Sequence, residues 1–363
     1  MCIQRKAEMK RYGNLYSKIY DMDNLILAHN NAKKGKGWYQ EVKMVDLNPE
    51  YYLGLLQKML IDKTYKTSQY ETFIKNDSGK EREIFKLPYF PDRICQWAIM
   101  QIIEPILLNN FTKDTYSAIP GRGIHLCLNN LTDALQHDVP GCQYCLKLDG
   151  KKFYPSIDHD ILKKKYRRLF KDPDLLWLLD EIIDSTPGGT GIPIGNYLSQ
   201  YSGNYYFSQF DHWIKEVKGI KYYFRYMDDI VILGSDKQKL HKLKDEIDEY
   251  FKHEMKLKIK ENWQVFPTYV RGVDFVGYRS FMNYRLLRKS TCKQFKRKMN
   301  AINKKQIEGL DLTYSEWCSI NSYKGWLIHC NSYRLTKKYI KPIQGFADQY
   351  YLDNIYMKGG ILK

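Results

Sequence analysis

The chain has 363 residues, with 58 Lys and Arg against 41 Asp and Glu and a formal net charge of +17, and tyrosine is unusually abundant at 31 copies. That length leaves room for two or three domains or one multi-lobed enzyme, and the basic excess favours a polyanionic partner, nucleic acid first, because basic side chains that neutralise phosphates release condensed counterions. Eight scattered cysteines, with only Cys142 and Cys145 at CxxC spacing, exclude a zinc-finger pattern, and no apolar run approaches membrane-spanning length.

The basic N-terminus "MCIQRKAEMKRYG" lacks the apolar segment of a secretory signal, so the expected location is the cytoplasm, with reduced and mostly buried thiols, no structural zinc and no membrane partner. Residues 1 to about 80 read as helical and polar, and "KNDSGKERE", Lys75 to Glu83, signals a turn between two short strands. In "PYFPDRICQWAIMQIIEPILLNNF", Asp92 is placed to cap a buried helix that carries Ile94, Ala98, Ile102 and Ile106 at spacing four. A glycine-rich loop, Pro120 to Gly123, leads into an amphipathic helix. Cys145 to Asp149 reads as a strand, and after Pro155 and Ser156 a strongly basic helix follows. "TPGGTGIPIGN" is a second glycine-rich loop ahead of the aromatic-rich segment Tyr197 to Ile214. Phe224 to Met227 and Ile230 to Leu233 then predict a hairpin with Asp228 and Asp229 in its two-residue turn. A helix near 236–255, a strand pair in "RGVDFVGYRSF" and a basic helical module from Arg285 onward complete the chain; Arg285 to Lys305 holds nine Lys or Arg and no acid.

Two neighbouring aspartates in an apolar run are expensive unless cations or donors satisfy them. Asp149 ends one predicted strand, and Asp228 and Asp229 sit in the turn of another pair. If those strands are neighbours, the acids converge at one sheet edge, as two-metal nucleotidyl transfer requires. Each element alone is ordinary, because Asp is common in turns and at strand ends.

Order and context separate the readings. "YMDD", Tyr226 to Asp229, between apolar arms resembles the catalytic hairpin of reverse transcriptases, and "LKLDGKKFYPSI" resembles the same family's earlier metal-binding motif. "GIPIGNYLSQ" lies where that family has a Gly-x-Pro-x-Gly loop, "FVGYR" matches its primer grip, and "REIFKLPYFPDRICQ" is similar to the fingers motif of group II intron enzymes. The resemblance covers roughly residues 80 to 280 and implies an α+β right-hand polymerase. Its expected divisions are an N-terminal extension and fingers (1–90), a palm (91–284) and a basic helical thumb (285–363). Asp149, Asp228 and Asp229 are then the catalytic acids, and Asp149, Asp228 and Gly150 hold two Mg2+ ions, which Mn2+ can replace. Tyr154, five positions after Asp149, is the expected sugar gate, an aromatic ring that excludes a 2′-hydroxyl and selects deoxynucleotides. Arg82 and Lys86, with Arg93 as a weaker candidate, are expected on the triphosphate, together with the Gly150 and Lys151 amides and the Ile194–Gly195 loop. Phe275, Gly277 and Tyr278 form the implied primer grip, and Arg288, Lys289, Lys293, Lys296 and Arg297 the backbone contacts. Trp263 stands near the position where relatives place a lysine that protonates pyrophosphate, which leaves Lys258 or Lys260 as substitutes.

The middle loop narrows the resemblance. Ile194 replaces the usual Gln, and Ser199-Gln200 replace Ser-Pro, so "IPIGNYLSQ" resembles the signature of reverse transcriptases from diversity-generating retroelements of bacteria and phages, relatives of the group II enzymes. This implies dNTPs as substrates, a template-repeat RNA copied into adenine-mutagenised cDNA, an RNA/DNA hybrid product, and a basic oligomeric accessory variability protein. A group II-like or retron-type enzyme, and a non-catalytic basic RNA-binding protein on a polymerase fold, are the alternatives.

Overall fold

The computed structural model describes residues 11–77 and 80–356. Short helices lead the chain. Met22–Ala32 begins at Asp21, whose side chain accepts from the Asp23 amide, and Pro49–Ile61 begins at Asn48 with proline in its first turn. They pack Leu25, Ala28, Leu53, Leu56 and Leu60 into the main core. Strands β1 (Glu71–Asp77) and β2 (Lys80–Lys86) form the expected hairpin, antiparallel from Glu71–Lys86 to Asp77–Lys80; Ser78 and Gly79, the expected turn, lie outside the described residues.

Asp92 departs from expectation. The helix Ile94–Leu108 forms as predicted, but it has no side-chain cap. Asp92 is buried instead, and its Oδ1 accepts from the Tyr65 hydroxyl at 2.8 Å and the Ser68 amide at 3.1 Å. The carboxylate ties the chain ahead of the hairpin to the helix after it, because those donors reach it before the helix's own amides do.

The central sheet has the order β4-β5-β3-β6, with β3 at Tyr144–Asp149, β4 at Tyr222–Tyr226, β5 at Asp229–Gly234 and β6 at Gln264–Pro267, and every neighbouring pair is antiparallel. Alternation along the strands serves two cores. Leu146, Leu148, Tyr223, Ile230 and Ile232 face the main cluster, whereas Cys145, Phe224, Val231, Leu233 and Phe266 face a second one completed by Cys127, Leu131 and Leu135 of the helix Ile124–His137. Burial on both faces explains why Ile230 to Leu233 reads as an unbroken apolar run rather than an alternating one. The helix Tyr197–His212 covers the main face and is buried along most of its length. Lys237–Glu254, started by Asp236, carries Leu240, Leu243, Ile247 and Phe251 to the same core.

Beyond this lies a three-stranded sheet, β7 (Val273–Phe275), β8 (Tyr278–Ser280) and β9 (Arg285–Leu287). The helices Lys289–Ile307, Tyr314–Leu327 and Gln344–Tyr351 then enclose a third core of Phe295, Met299, Ile302, Ile320, Leu327 and Ala347. Thr313 and Glu316 form a reciprocal capping box at the start of the second helix. Gly277 joins the small sheet to this helical layer. At φ +91° it occupies backbone space that favours glycine, and a Cβ there would stand 2.4 Å from the Trp326 ring. No helix among the described residues is long and apolar enough to cross a membrane.

Candidate active site

The β4–β5 turn sits one residue earlier than expected. Tyr226 pairs with Asp229, so Met227 and Asp228 make the turn, Met227 adopting φ +55° as a tight hairpin turn requires. Asp229 is therefore a strand residue, directly opposite Asp149 in the β3–β5 ladder.

Beneath this turn lies Arg225, fully buried in a strand. Its Nε donates to Asp211 Oδ1 at 2.7 Å and its Nη2 to Asp211 Oδ2, while Nη1 donates to the Met227 carbonyl at 3.0 Å and to Asn204 Oδ1 at 3.2 Å. Asp211 is equally buried, and it also accepts from the hydroxyls of Thr115 and Tyr223. The guanidinium face lies 4.8 Å from the Phe207 ring centroid. One charged pair thus connects the helix Tyr197–His212, strand β4 and the backbone of the turn that presents Asp228. Sequence reasoning missed both members; the available signal was an arginine inside an apolar strand, which demands a buried acid.

The turn brings Asp228 onto Asp149. The Gly150 amide donates to the Asp228 carbonyl at 3.1 Å, and a Cβ on Gly150 would lie 3.3 Å from that of Asp228, so the approach is close. Burial first, then the charge of Asp149 and a hydrogen bond with it, pushes the Asp228 carboxyl up to about 7, against the pull of Lys260. Lys260 Nζ donates to Asp149 Oδ1 at 2.6 Å. Asp229 turns elsewhere: its Oδ1 is buried without a hydrogen-bond partner, 3.7 Å from Lys147 Nζ, and burial, opposed by Lys147, raises it to about 6. Among the described residues no three acidic, His or Cys side chains gather at metal-binding geometry, so the arrangement is a carboxylate pair with a third acid alongside. Two hard oxygen ligands whose mutual repulsion resists ionisation suit a divalent cation, and on that ground the donor set fits one.

Tyr154 lies beside this pair, half-buried. Its hydroxyl points at Met227 Sδ at 3.5 Å, and its ring rests where a Cβ on Gly203 would come within 3.7 Å. The Gly150 and Lys151 amides, expected on phosphate, both have backbone partners: the first donates to the Asp228 carbonyl and the second to the Lys258 carbonyl at 2.8 Å. Ile194 is half-buried, and its carbonyl accepts from the Phe85 amide at 3.4 Å. Gly195, at φ +119°, passes so near β2 that a Cβ would stand 3.1 Å from the Phe85 carbonyl oxygen. Ser199 is buried in the helix and Gln200 exposed on it. Lys86 pairs with Glu71 at 3.1 Å, and with Arg93, Gly195 and Asn196 it lines a cavity of about 250 Å³. Arg93 Nε donates to the Ala32 carbonyl at 3.2 Å. Arg82 lies on β2, and its side chain is outside the described residues.

Phe275 and Tyr278 are core residues. Both are fully buried, and Tyr278 stacks on Trp326 and donates to its carbonyl at 3.0 Å, so any primer contact of this hairpin has to come from its backbone and neighbouring polar side chains. Arg288 is held by Asp274 at 2.6 Å. Lys289, Lys293 and Arg297 recur at spacing four on the exposed face of their helix, opposite Phe295 and Met299, and Lys296 is half-buried over the Tyr339 ring. The exposed row is suited to phosphates.

Residues 74–280, more than half of the chain, match the profile of the reverse transcriptase (RNA-dependent DNA polymerase) family. The chain belongs to this family. Its mixed helices and sheets form the right-hand polymerase fold. Protein YkfC of Escherichia coli (strain K12) is 23% identical over 251 residues, which are 57% of this chain and 65% of that protein. Among solved structures, telomerase from Candida albicans bound to a fragment of telomeric RNA is 11% identical, covering 67% of this chain and 51% of that one at a TM-score of 0.48. Apo telomerase from Candida tropicalis is 13% identical, covering 80% and 59% at 0.49.

In this chain, Asp211→Ala leaves the Arg225 charge buried and unpaired, and a loss of about 3–5 kcal/mol is expected in chemical denaturation. Tyr223→Phe, which removes one donor to Asp211, is expected to cost about 1 kcal/mol. The double replacement Asp211→Leu with Arg225→Met should recover most of the single-variant loss. Equal midpoints for wild type and Asp211→Ala would contradict the role given to the pair.

Proposed function

We propose that this chain is an RNA-directed DNA polymerase that copies a template-repeat RNA into adenine-mutagenised cDNA for diversification of a target gene. The observation that carries the polymerase reading is the Asp149–Asp228 carboxylate pair at the meeting of β3 and the β4–β5 turn, with Tyr154 packed beside it. In the reaction a primer 3′-oxygen bonds to the α-phosphorus of a dNTP, the bond to pyrophosphate breaks, and the hydroxyl proton leaves. Divalent cations, Mg2+ by preference, would supply charge neutralisation at the attacking and departing oxygens. The protein's part is placement. Asp149 and Asp228 provide the oxygen ligands, and the buried Arg225 fixes the turn that carries Asp228. Tyr154 presents a ring edge to the sugar and leaves no room for a 2′-hydroxyl. Asp229 lies at the edge of the pair beside Lys147, as a secondary acid. The exposed Lys289, Lys293 and Arg297 track the hybrid backbone as part of a thumb spanning 285–363, and residues 1–90 and 91–284 serve as the N-terminal extension with fingers and the palm.

The mutagenic role rests on Ile194. An aliphatic side chain in place of Gln removes a donor and an acceptor next to the nascent pair, worth about 0.5–1.5 kcal/mol, enough to loosen discrimination several-fold. The "IPIGNYLSQ" motif supports the diversity-generating subclass, and with it a basic accessory variability protein as partner.

Primer extension on a defined RNA with Mg2+ or Mn2+ tests the activity. Asp228→Asn is expected to lower the rate by roughly two orders of magnitude or more, the worth of several kcal/mol of charge stabilisation; equal rates for wild type and variant would refute the enzyme reading. Tyr154→Val should raise ribonucleotide use relative to deoxynucleotide use about tenfold, read from competition between rNTP and dNTP at single template positions. Ile194→Gln should reduce misincorporation opposite template adenine several-fold while other positions change little. Unchanged adenine errors would remove the basis for the subclass.

A further inference from the structure

Lys260 is fixed to Asp149 twice. At the backbone, its amide donates to the Asp149 carbonyl at 2.9 Å, Lys151 donates to the Lys258 carbonyl at 2.8 Å, and Ile259 forms an antiparallel bridge with Gly150. The segment 258–260 is thereby laid along the end of β3 as an extra strand fragment. From that anchored position Lys260 Nζ donates to Asp149 Oδ1 at 2.6 Å. The two side chains are 34% and 32% exposed, so the contact is open to exchange with ions from solvent.

The other nearby lysines are committed elsewhere. Lys147 donates to the Asp274 carbonyl at 2.6 Å and faces Asp229, and Lys151 faces Glu261 at 3.8 Å. Asp228 has no comparable ion pair among the described residues. Lys260 is thus the ammonium that offsets the carboxylate pair, and it occupies an oxygen that a divalent cation would use. Two cations on one carboxylate oxygen repel at short range, and the more so in a partly desolvated site.

We propose that Lys260 is a built-in counter-ion that competes with the divalent cation for Asp149, and so sets the metal affinity of the site. This rests on the reading of Asp149 and Asp228 as the metal-holding pair. It assigns Lys260 a function that precedes the reaction: the ammonium holds the two acids together until a divalent ion arrives, and the metal then displaces it from Oδ1. Its short, backbone-anchored reach keeps the displaced ammonium beside the site.

The test is Mn2+ binding to the purified chain, read by the electron paramagnetic resonance of free Mn2+ and independent of catalysis. Lys260→Met is expected to bind Mn2+ at least threefold tighter than wild type, Lys260→Arg within twofold of wild type, and Asp228→Asn far more weakly. Without metal, Lys260→Met should melt at lower temperature than wild type and gain more from added Mn2+. Lys260→Gln, which keeps a donor but no charge, carries the same expectation should the methionine variant fold poorly. If the uncharged variants bind Mn2+ no tighter than wild type while binding still depends on Asp228, the counter-ion role is overturned and the reading of the acids survives. Equal Mn2+ binding by wild type and Asp228→Asn overturns both.

Discussion

The Arg225–Asp211 pair is the constraint on which the site depends. A β-hairpin turn of two residues is ordinarily set by its own backbone, and here Met227 supplies the required positive φ without being glycine. What holds that conformation is below it, where the Arg225 guanidinium takes the Met227 carbonyl while Asp211 takes the guanidinium. A buried ion pair seldom adds net stability over apolar residues of the same size, because desolvation consumes most of the Coulombic gain. Its value here is geometric. The planar fork has several donors at fixed angles, so one side chain relates the turn, Asn204 and Asp211 to each other, and Asp228 inherits its position from that frame.

Charge at the surface of the site is arranged with a similar economy. Each acid near the sheet edge has a different neutralising arrangement: Asp149 has Lys260, Asp229 faces Lys147, and Asp274 has Arg288. Among the described residues Asp228 has no ion pair of its own, and burial with the charge of Asp149, only partly opposed by Lys260, pushes it furthest from its ordinary value, to about 7. Burial without a cation has that consequence for any carboxyl group, and a cation bound to the pair would restore its ionised form. The acid at the tip of the turn is therefore the one whose charge a metal would change most.

These two features differ in how visible they are in sequence. Asp149 and Asp228 are legible because a strand-ending acid and an acid between apolar arms occur in a recognisable order, and the apolar arms do fold as the strands that bring them together. The exact residues of the turn are less legible, since Met227-Asp228 and Asp228-Asp229 are equally acceptable by alternation alone and the ladder register decides between them. Arg225 and Asp211 are separated by a helix end and a loop, so no local pattern announces their contact. Asp92 reads as a helix cap by position, yet hydroxyl and amide donors from residues 65 and 68 reach it first. Phe275 and Tyr278 resemble contact residues by motif, but the second core claims the ring of Phe275 and the third that of Tyr278. Backbone bonding is the least visible of all: the Gly150 and Lys151 amides look available in sequence and are consumed by Asp228 and Lys258.

The loop at 194–195 links the hairpin of β1 and β2 to the acids in the same physical terms. Gly195 lets the loop touch the backbone of Phe85, and the Ile194 carbonyl accepts the Phe85 amide, so the loop's position is tied to β2 by main-chain contacts that no side-chain substitution at 194 removes. The helix Tyr197–His212 starts immediately after the loop and ends at Asp211 and His212, where Asp211 meets Arg225 under the β4–β5 turn. β2, the loop and Asp211 are thus joined in sequence by a main-chain hydrogen bond and a buried helix, with Gly203 on the way lying against Phe153 and Tyr154. The main chain carries that linkage, through the Ile194 carbonyl and the close approach of Gly195, and not the side chain at 194.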